Sequence, residues 1–157
     1  MRILFYIVVF IGFFGCAQSS STQKNSFRVV KSEAQWKEQL SPMAYYVLRQ
    51  AGTERAFSGT YDKHYKKGTY HCMGCNQALY QSTNKYDSGS GWPSFDRAIK
   101  EAVVFDVDYK IGYARTELLC AKCGGHLGHM FEDGPKNTTG KRHCINSAAL
   151  KFVAKNE

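Results

Sequence analysis

Residues 69–75 read TYHCMGC and residues 113–123 read YARTELLCAKC: twice in the chain a run of β-branched and aromatic residues ends in a C-x2-C pair. Gly74 falls inside the first pair and Gly124 directly after the second, so each pair is read as the turn at the end of a strand. The same strand signal recurs in ALYQ (78–81), AVVFDV (102–107) and CINSAALKFV (144–153), with glycine-containing turns between them. Only the front of the domain differs. Ala34, Trp36 and Leu40 follow a loosely helical spacing, and Ser41-Pro42 supplies an N-cap and a first-turn proline for a second helix, predicted to run to about Gln50 and to stop at Gly52. The chain reads as one mainly β domain with short helices at its N-terminal side.

Four thiolates in two knuckles suit a tetrahedral zinc ion, because each tight turn offers two sulfurs from one side. The 44 residues between the knuckles exceed the usual ribbon spacing, which is tolerable if each knuckle tips its own hairpin. Two disulfides, or a redox pair, are the competing reading of Cys72, Cys75, Cys120 and Cys123, and an exported chain favours disulfides.

Export is what the N-terminus predicts. Residues 1–16, MRILFYIVVFIGFFGC, carry one arginine, an apolar run shorter than the roughly 18 residues of a spanning helix, and a small residue before Cys16. Residues 1–15 are read as a lipoprotein-type signal peptide, Cys16 as the lipidated mature N-terminus, 16–30 as a polar tether and 31–157 as the domain. Ordinary cleavage or an uncleaved anchor is the alternative. The expected location is a bacterial cell envelope, with the membrane reached through a lipid anchor. A composition of 43% hydrophobic and 22% charged residues excludes a disordered, collagen-like or coiled-coil chain. A net charge of +8 permits nucleic acid, anionic lipid or acidic protein as partners and selects none. KHYKKGTYH (63–71) mixes Lys with Tyr and His as nucleic-acid surfaces do, but in an exported chain it reads as a solvated face, so no nucleic-acid partner is expected.

Once Cys16 and the knuckles are assigned, Cys144 stands alone in RHCINSAAL. A lone cysteine is commonly a small buried hydrophobe. Here Arg142 and Asn146 would share its face of a strand, and a cation and an amide beside a thiol favour the thiolate that a nucleophile needs. Upstream, CGGHLGHMFEDGP (123–135) sets His126 and His129 three apart among glycines. A metal there would lack a third suitably spaced ligand, so acid–base service near Cys144 is the better reading. SGSGWPSF (88–95) puts Trp92 and Phe95 in a Gly/Ser/Pro loop, where Trp92 either meets a ligand or caps the end of the barrel. Asp106 and Asp108, two apart on a predicted strand, read as a solvated face.

Together, LSPMAYYVLRQAGTERAFSGTY, the two knuckles, SGSGWPSF, CGGHLGHMFEDGP and RHCINSAALKF, in that order over about residues 33–153, resemble the methionine-R-sulfoxide reductase family of B-type methionine sulfoxide reductases. The resemblance implies two antiparallel β sheets in a tent-like arrangement and a structural zinc ion on Cys72, Cys75, Cys120 and Cys123. It implies Cys144 as the nucleophile, with His129, His126, Asn146 and Arg142 at catalytic positions and Trp92, with Phe95, against the substrate. The implied reaction reduces the R epimer of methionine sulfoxide in proteins through a Cys144 sulfenic acid. An external thiol donor, either a thioredoxin-like protein or a small thiol, would regenerate a monomeric enzyme. One departure matters: Ser90 stands where many members carry a second cysteine, so the sulfenic acid has no internal partner. An exported zinc-stabilised module that binds without turnover, or a basic zinc-knuckle nucleic-acid binder, is the alternative.

Overall fold

The computed structural model describes residues 26–155, so the signal peptide, Cys16 and most of the tether lie outside the described residues. Ser32 caps helix α1 (Glu33–Gln39) through a reciprocal capping box with Gln35, and Ser41 caps α2 (Pro42–Gln50), whose first-turn proline sacrifices no helical hydrogen bond. The left-handed residue that ends α2 is Ala51, at φ 49°, and not Gly52 as expected. Gly52 instead leaves room for the Tyr46 ring, whose edge lies 2.2 Å from where a Cβ would stand.

The strands are β1 (Gly68–Cys72), β2 (Ala78–Gln81), β3 (Lys85–Tyr86), β4 (Ser94–Phe95), β5 (Val103–Asp108), β6 (Arg115–Cys120), β7 (His126–Phe131), β8 (Arg142–Ile145) and β9 (Leu150–Ala154). They form two antiparallel sheets, a small one in the order β2-β1-β9 and a large one in the order β3-β4-β8-β7-β6-β5. This is the mainly β, two-sheet architecture expected. The run CINSAALKFV, read as one strand, divides: a 3-10 turn at Ser147–Ala149 passes the chain from β8 in the large sheet to β9 in the small one. The glycine-punctuated HLGHMF is itself a strand, β7, paired on both sides.

Tyr70, Tyr80, Phe95, Leu118, Leu127 and Ile145 are fully buried, with Tyr80 stacked on Phe95 at 4.3 Å between ring centroids. Burying each of the larger apolar side chains contributes roughly 1.5–3 kcal/mol before entropy is set against it. Trp36, Val47 and Leu48 carry the two helices into the same core. Among the described residues no helix is long and apolar enough to cross a membrane.

Candidate active site

One ladder row crosses the whole large sheet: Tyr86, Ser94, Cys144, His129, Glu117 and Asp106 are successive cross-strand partners. Partners in a row share a face of the sheet, so register alone sets His129 directly beside Cys144. The parallel row two residues on includes the pairs Arg142–Phe131 and Arg115–Asp108. His126 joins this face through an irregularity. Residues three apart on a regular strand point to opposite sides, but the register shifts so that Leu118 faces Gly128 and Leu119 faces His126, leaving Leu127 as a bulged extra residue. The two imidazoles consequently meet, with ring centroids 5.2 Å apart. Gly128 is obligatory beside this bulge, because a Cβ there would lie 2.0 Å from the Cys144 carbonyl oxygen.

Each histidine has a carboxylate. His129 Nε2 lies 2.8 Å from Asp108 Oδ2, and His126 Nδ1 lies 2.5 Å from Glu117 Oε1. The Lys110 backbone N–H, together with His129 and Arg115, holds the Asp108 carboxyl well below the usual carboxylate range. An ionised Asp108 can only accept, so Nε2 of His129 carries the ring proton and Nδ1 is left to exchange one. Asp108 is 9% exposed, and so the expectation of a solvated face there is corrected: register turns it inward, beside the Arg115 guanidinium. Burial pulls His129 below its ordinary value, with Asp108 opposing.

Cys144, His129, Trp92, Asn146, Phe131 and Arg115 line one cavity of about 110 Å³. Burial pushes the Cys144 thiol above its ordinary value, against the opposing pull of Ser90 and Arg142. This corrects the expectation of a depressed thiol, because desolvation outweighs the cation. Arg142 is instead engaged in a two-pronged pair with Asp133, at 2.8 Å on each arm, and lies 4.4 Å over the Phe131 ring.

Phe95 does not reach the cavity, contrary to expectation. It is fully buried because its partner across β8 is His143, one residue out of phase with Cys144, so it faces the core while Ser94 faces the site. Phe131 is the aromatic that takes that place, and neither it nor Thr53, which also lines the cavity, was singled out from sequence.

Trp92 and Asn146 are held by the segment after α2. The Trp92 indole N–H donates to the Glu54 carbonyl at 3.1 Å, while the Asn146 side chain accepts from the Glu54 N–H at 2.9 Å and donates to the Leu127 carbonyl at 3.0 Å. The Glu54 carboxylate in turn accepts from the backbone N–H groups of Ser147 and Ala148. One buried glutamate therefore ties the loop behind the indole to the turn after Cys144. Gly91 lets that loop close: at φ 85° its carbonyl accepts from the Phe57 N–H, and a Cβ there would meet Phe57 at 2.8 Å.

The knuckles tip the β1–β2 and β6–β7 hairpins. Cys72 Sγ lies 3.7 Å from Cys123 Sγ, Cys75 Sγ lies 3.5 Å from Cys120 Sγ, and all four sulfurs lie within 4.8 Å of one another. A tetrahedral ion with metal–sulfur bonds of about 2.3 Å requires sulfurs roughly 3.8 Å apart. The four free thiols fit one such ion, and they do not form disulfides.

The SelR domain model matches residues 40–154. The chain is 52% identical over 137 residues to the peptide methionine sulfoxide reductase MsrB of Bradyrhizobium diazoefficiens, which covers 87% of this chain and 98% of that protein. It is 54% identical over 128 residues to the protein of the same name from Leptospira interrogans, covering 81% of this chain and 97% of the relative. To the mitochondrial methionine-R-sulfoxide reductase B3 of Mus musculus it is 45% identical over 140 residues, 88% of this chain and 55% of that protein.

Proposed function

Because the chain belongs to the SelR-domain family, we propose that it is a peptide-methionine (R)-S-oxide reductase whose nucleophile is Cys144. The observation that carries this reading is one small cavity lined by a thiol, an imidazole and an indole. A sulfoxide has an electrophilic sulfur and a basic oxygen, and reducing it requires a thiolate at the first and a proton at the second.

The resting pair supplies both from one proton. Burial favours a neutral Cys144 and a neutral His129, so Nδ1 of His129 takes the thiol proton and delivers it to the sulfoxide oxygen. Asp108 stabilises the imidazolium formed in passing. As the S–O bond of the substrate breaks, the oxygen passes to Cys144: the sulfoxide gains two electrons and becomes methionine, and the thiol loses two and becomes a sulfenic acid. Stacking of the substrate methyl on Trp92 fixes which face of the chiral sulfur meets Cys144, which selects the R epimer. His126 supports His129 from behind, and Asn146 keeps the indole loop and β7 in place.

Regeneration needs two external thiol equivalents, which take up the oxygen as water and leave as a disulfide. Ser90 lies 3.9 Å from the sulfur where a resolving thiol would stand, and it cannot perform that step. Cys72, Cys75, Cys120 and Cys123 would hold a structural zinc ion, which when bound ties the two hairpins and has no task in the redox step. The reading of residues 1–30 as a signal and lipidated tether places the domain at the cell envelope, and mass analysis of the mature N-terminus tests it.

Reduction of a peptide carrying methionine R-sulfoxide with dithiothreitol tests the proposal without any natural partner. The expected result is methionine from the R epimer and none from the S epimer. A folded protein that binds the peptide without turnover would overturn it.

A further inference from the structure

Three hydroxyls lead away from the Cys144 sulfur. Ser90 Oγ lies 3.9 Å from Cys144 Sγ, Ser88 Oγ lies 2.8 Å from Ser90 Oγ and 2.7 Å from Ser94 Oγ, and Ser94 Oγ donates to the Trp92 carbonyl at 3.2 Å. Ser88 also accepts from the Ser90 N–H at 3.3 Å. Ser94 is fully buried and pairs with Cys144 across β4 and β8, so the hydroxyls run beside the Cys144 sulfur from the half-buried Ser90 and Ser88 to a buried end at Ser94.

Each serine has a single proton, and a carbonyl can only accept. With Cys144 protonated, Ser94 donates to Trp92, Ser88 to Ser94 and Ser90 to Ser88, which leaves Ser90 a lone pair for the S–H. Ionisation of the sulfur inverts the order: Ser90 donates to the thiolate, Ser88 to Ser90 and Ser94 to Ser88, and the Trp92 carbonyl loses its partner. Hydrogen bonds in such a chain polarise one another, so the direction is a property of all three.

We propose that Ser88 and Ser94 are positioning residues that direct the Ser90 proton away from Cys144 and thereby favour its thiol form. This rests on Cys144 as the reacting thiol. Ser88 competes with the sulfur for the Ser90 proton, and Ser94, by accepting from Ser88, keeps Ser88 free to accept from Ser90, so losing either has the opposite effect to losing Ser90. The charged and titratable groups around the sulfur are Arg142 on its own strand, His129 on β7, Arg115 on β6, Asp133 in the turn before β8 and Tyr86 on β3. None of them changes in these variants.

The experiment is the pH dependence of iodoacetamide alkylation at Cys144, located by peptide mass, in the zinc-loaded full chain. Ser90→Ala should raise the midpoint and Ser88→Ala lower it, each by roughly half a unit or more. Ser94→Ala should lower it likewise, and Ser94→Thr should restore the wild-type value. A midpoint in Ser88→Ala that is unchanged, or that rises as it does in Ser90→Ala, overturns the proposal. Ser88 is half-buried, so its variant reads the same link if the fully buried Ser94→Ala fails to fold. Failure of the Cys144 assignment shows separately, as sulfoxide turnover that survives Cys144→Ser.

Discussion

His129 Nε2 lies 2.8 Å from Asp108 Oδ2, a contact that reaches from β7 over β6 to the edge strand β5. It fixes the ring tautomer, because an ionised carboxylate accepts a hydrogen bond from the Nε2–H and leaves Nδ1 as the basic nitrogen. Asp108→Asn can donate to Nε2 instead, moving the ring proton to Nδ1. The expected result is a fall in kcat/KM of about 10²-fold, carried by kcat, in the dithiothreitol-driven assay. Retention of wild-type kcat would remove Asp108 from the mechanism.

Gly128→Ala should damage both stability and rate. The added Cβ meets the Cys144 carbonyl at 2.0 Å, and backbone in a paired strand cannot swing aside as a side chain can. Urea denaturation should register a loss of about 1–3 kcal/mol or more. Turnover of the remaining folded protein should fall further, since relief of the clash displaces Cys144.

His143, on the opposite face of β8 from Cys144, is buried and pulled down to about 4 by desolvation, with Lys141 adding to the effect. A base depressed on folding is protonated first in the unfolded chain. Stability is therefore complete above about 6.5, falls as the pH drops toward about 4, and changes no further through this group below that. Thermal unfolding followed across this window should be less pH-dependent in His143→Gln, whose amide can still accept from Tyr80, 3.2 Å from His143 Nδ1.

Metal removal should unfold the domain and not merely slow it. The four thiols join β1–β2 in the small sheet to β6–β7 in the large one, so losing the ion unties the two hairpins and leaves four thiols clustered with no partner. A strong chelator should abolish the β circular dichroism signal as about one equivalent of zinc per chain is released. Zinc loss with the fold intact would deny the site its structural role.

Features set by adjacent residues were legible in the sequence. Ser32 and Ser41 cap their helices within one turn, and each C-x2-C pair needs only its own hairpin to present two sulfurs. Cys144 beside a pair of histidines was legible too, from the motifs. What escaped depends on parity across strands. Phe95 and Ser94 differ by one residue, and counting faces through the irregular Trp92-Pro93 loop cannot decide which of them shares the face of Cys144. Asp108 looks like half of a solvated acidic pair until its alignment with Arg115 and the bulge at Leu127 are known. A usable signal was present: Asp106 and Asp108 alternate on one strand as Arg115 and Glu117 do on the next, which is a charged face in want of partners.

The central step of the proposed reaction moves oxygen from the substrate to one sulfur. Reduced protein is mixed with excess R-sulfoxide peptide and a sulfenic-acid trap, with no reductant, and both products are measured by mass. The expected result is one methionine released per chain, with the trap attached to Cys144. Methionine formed with Cys144 unmodified would contradict it.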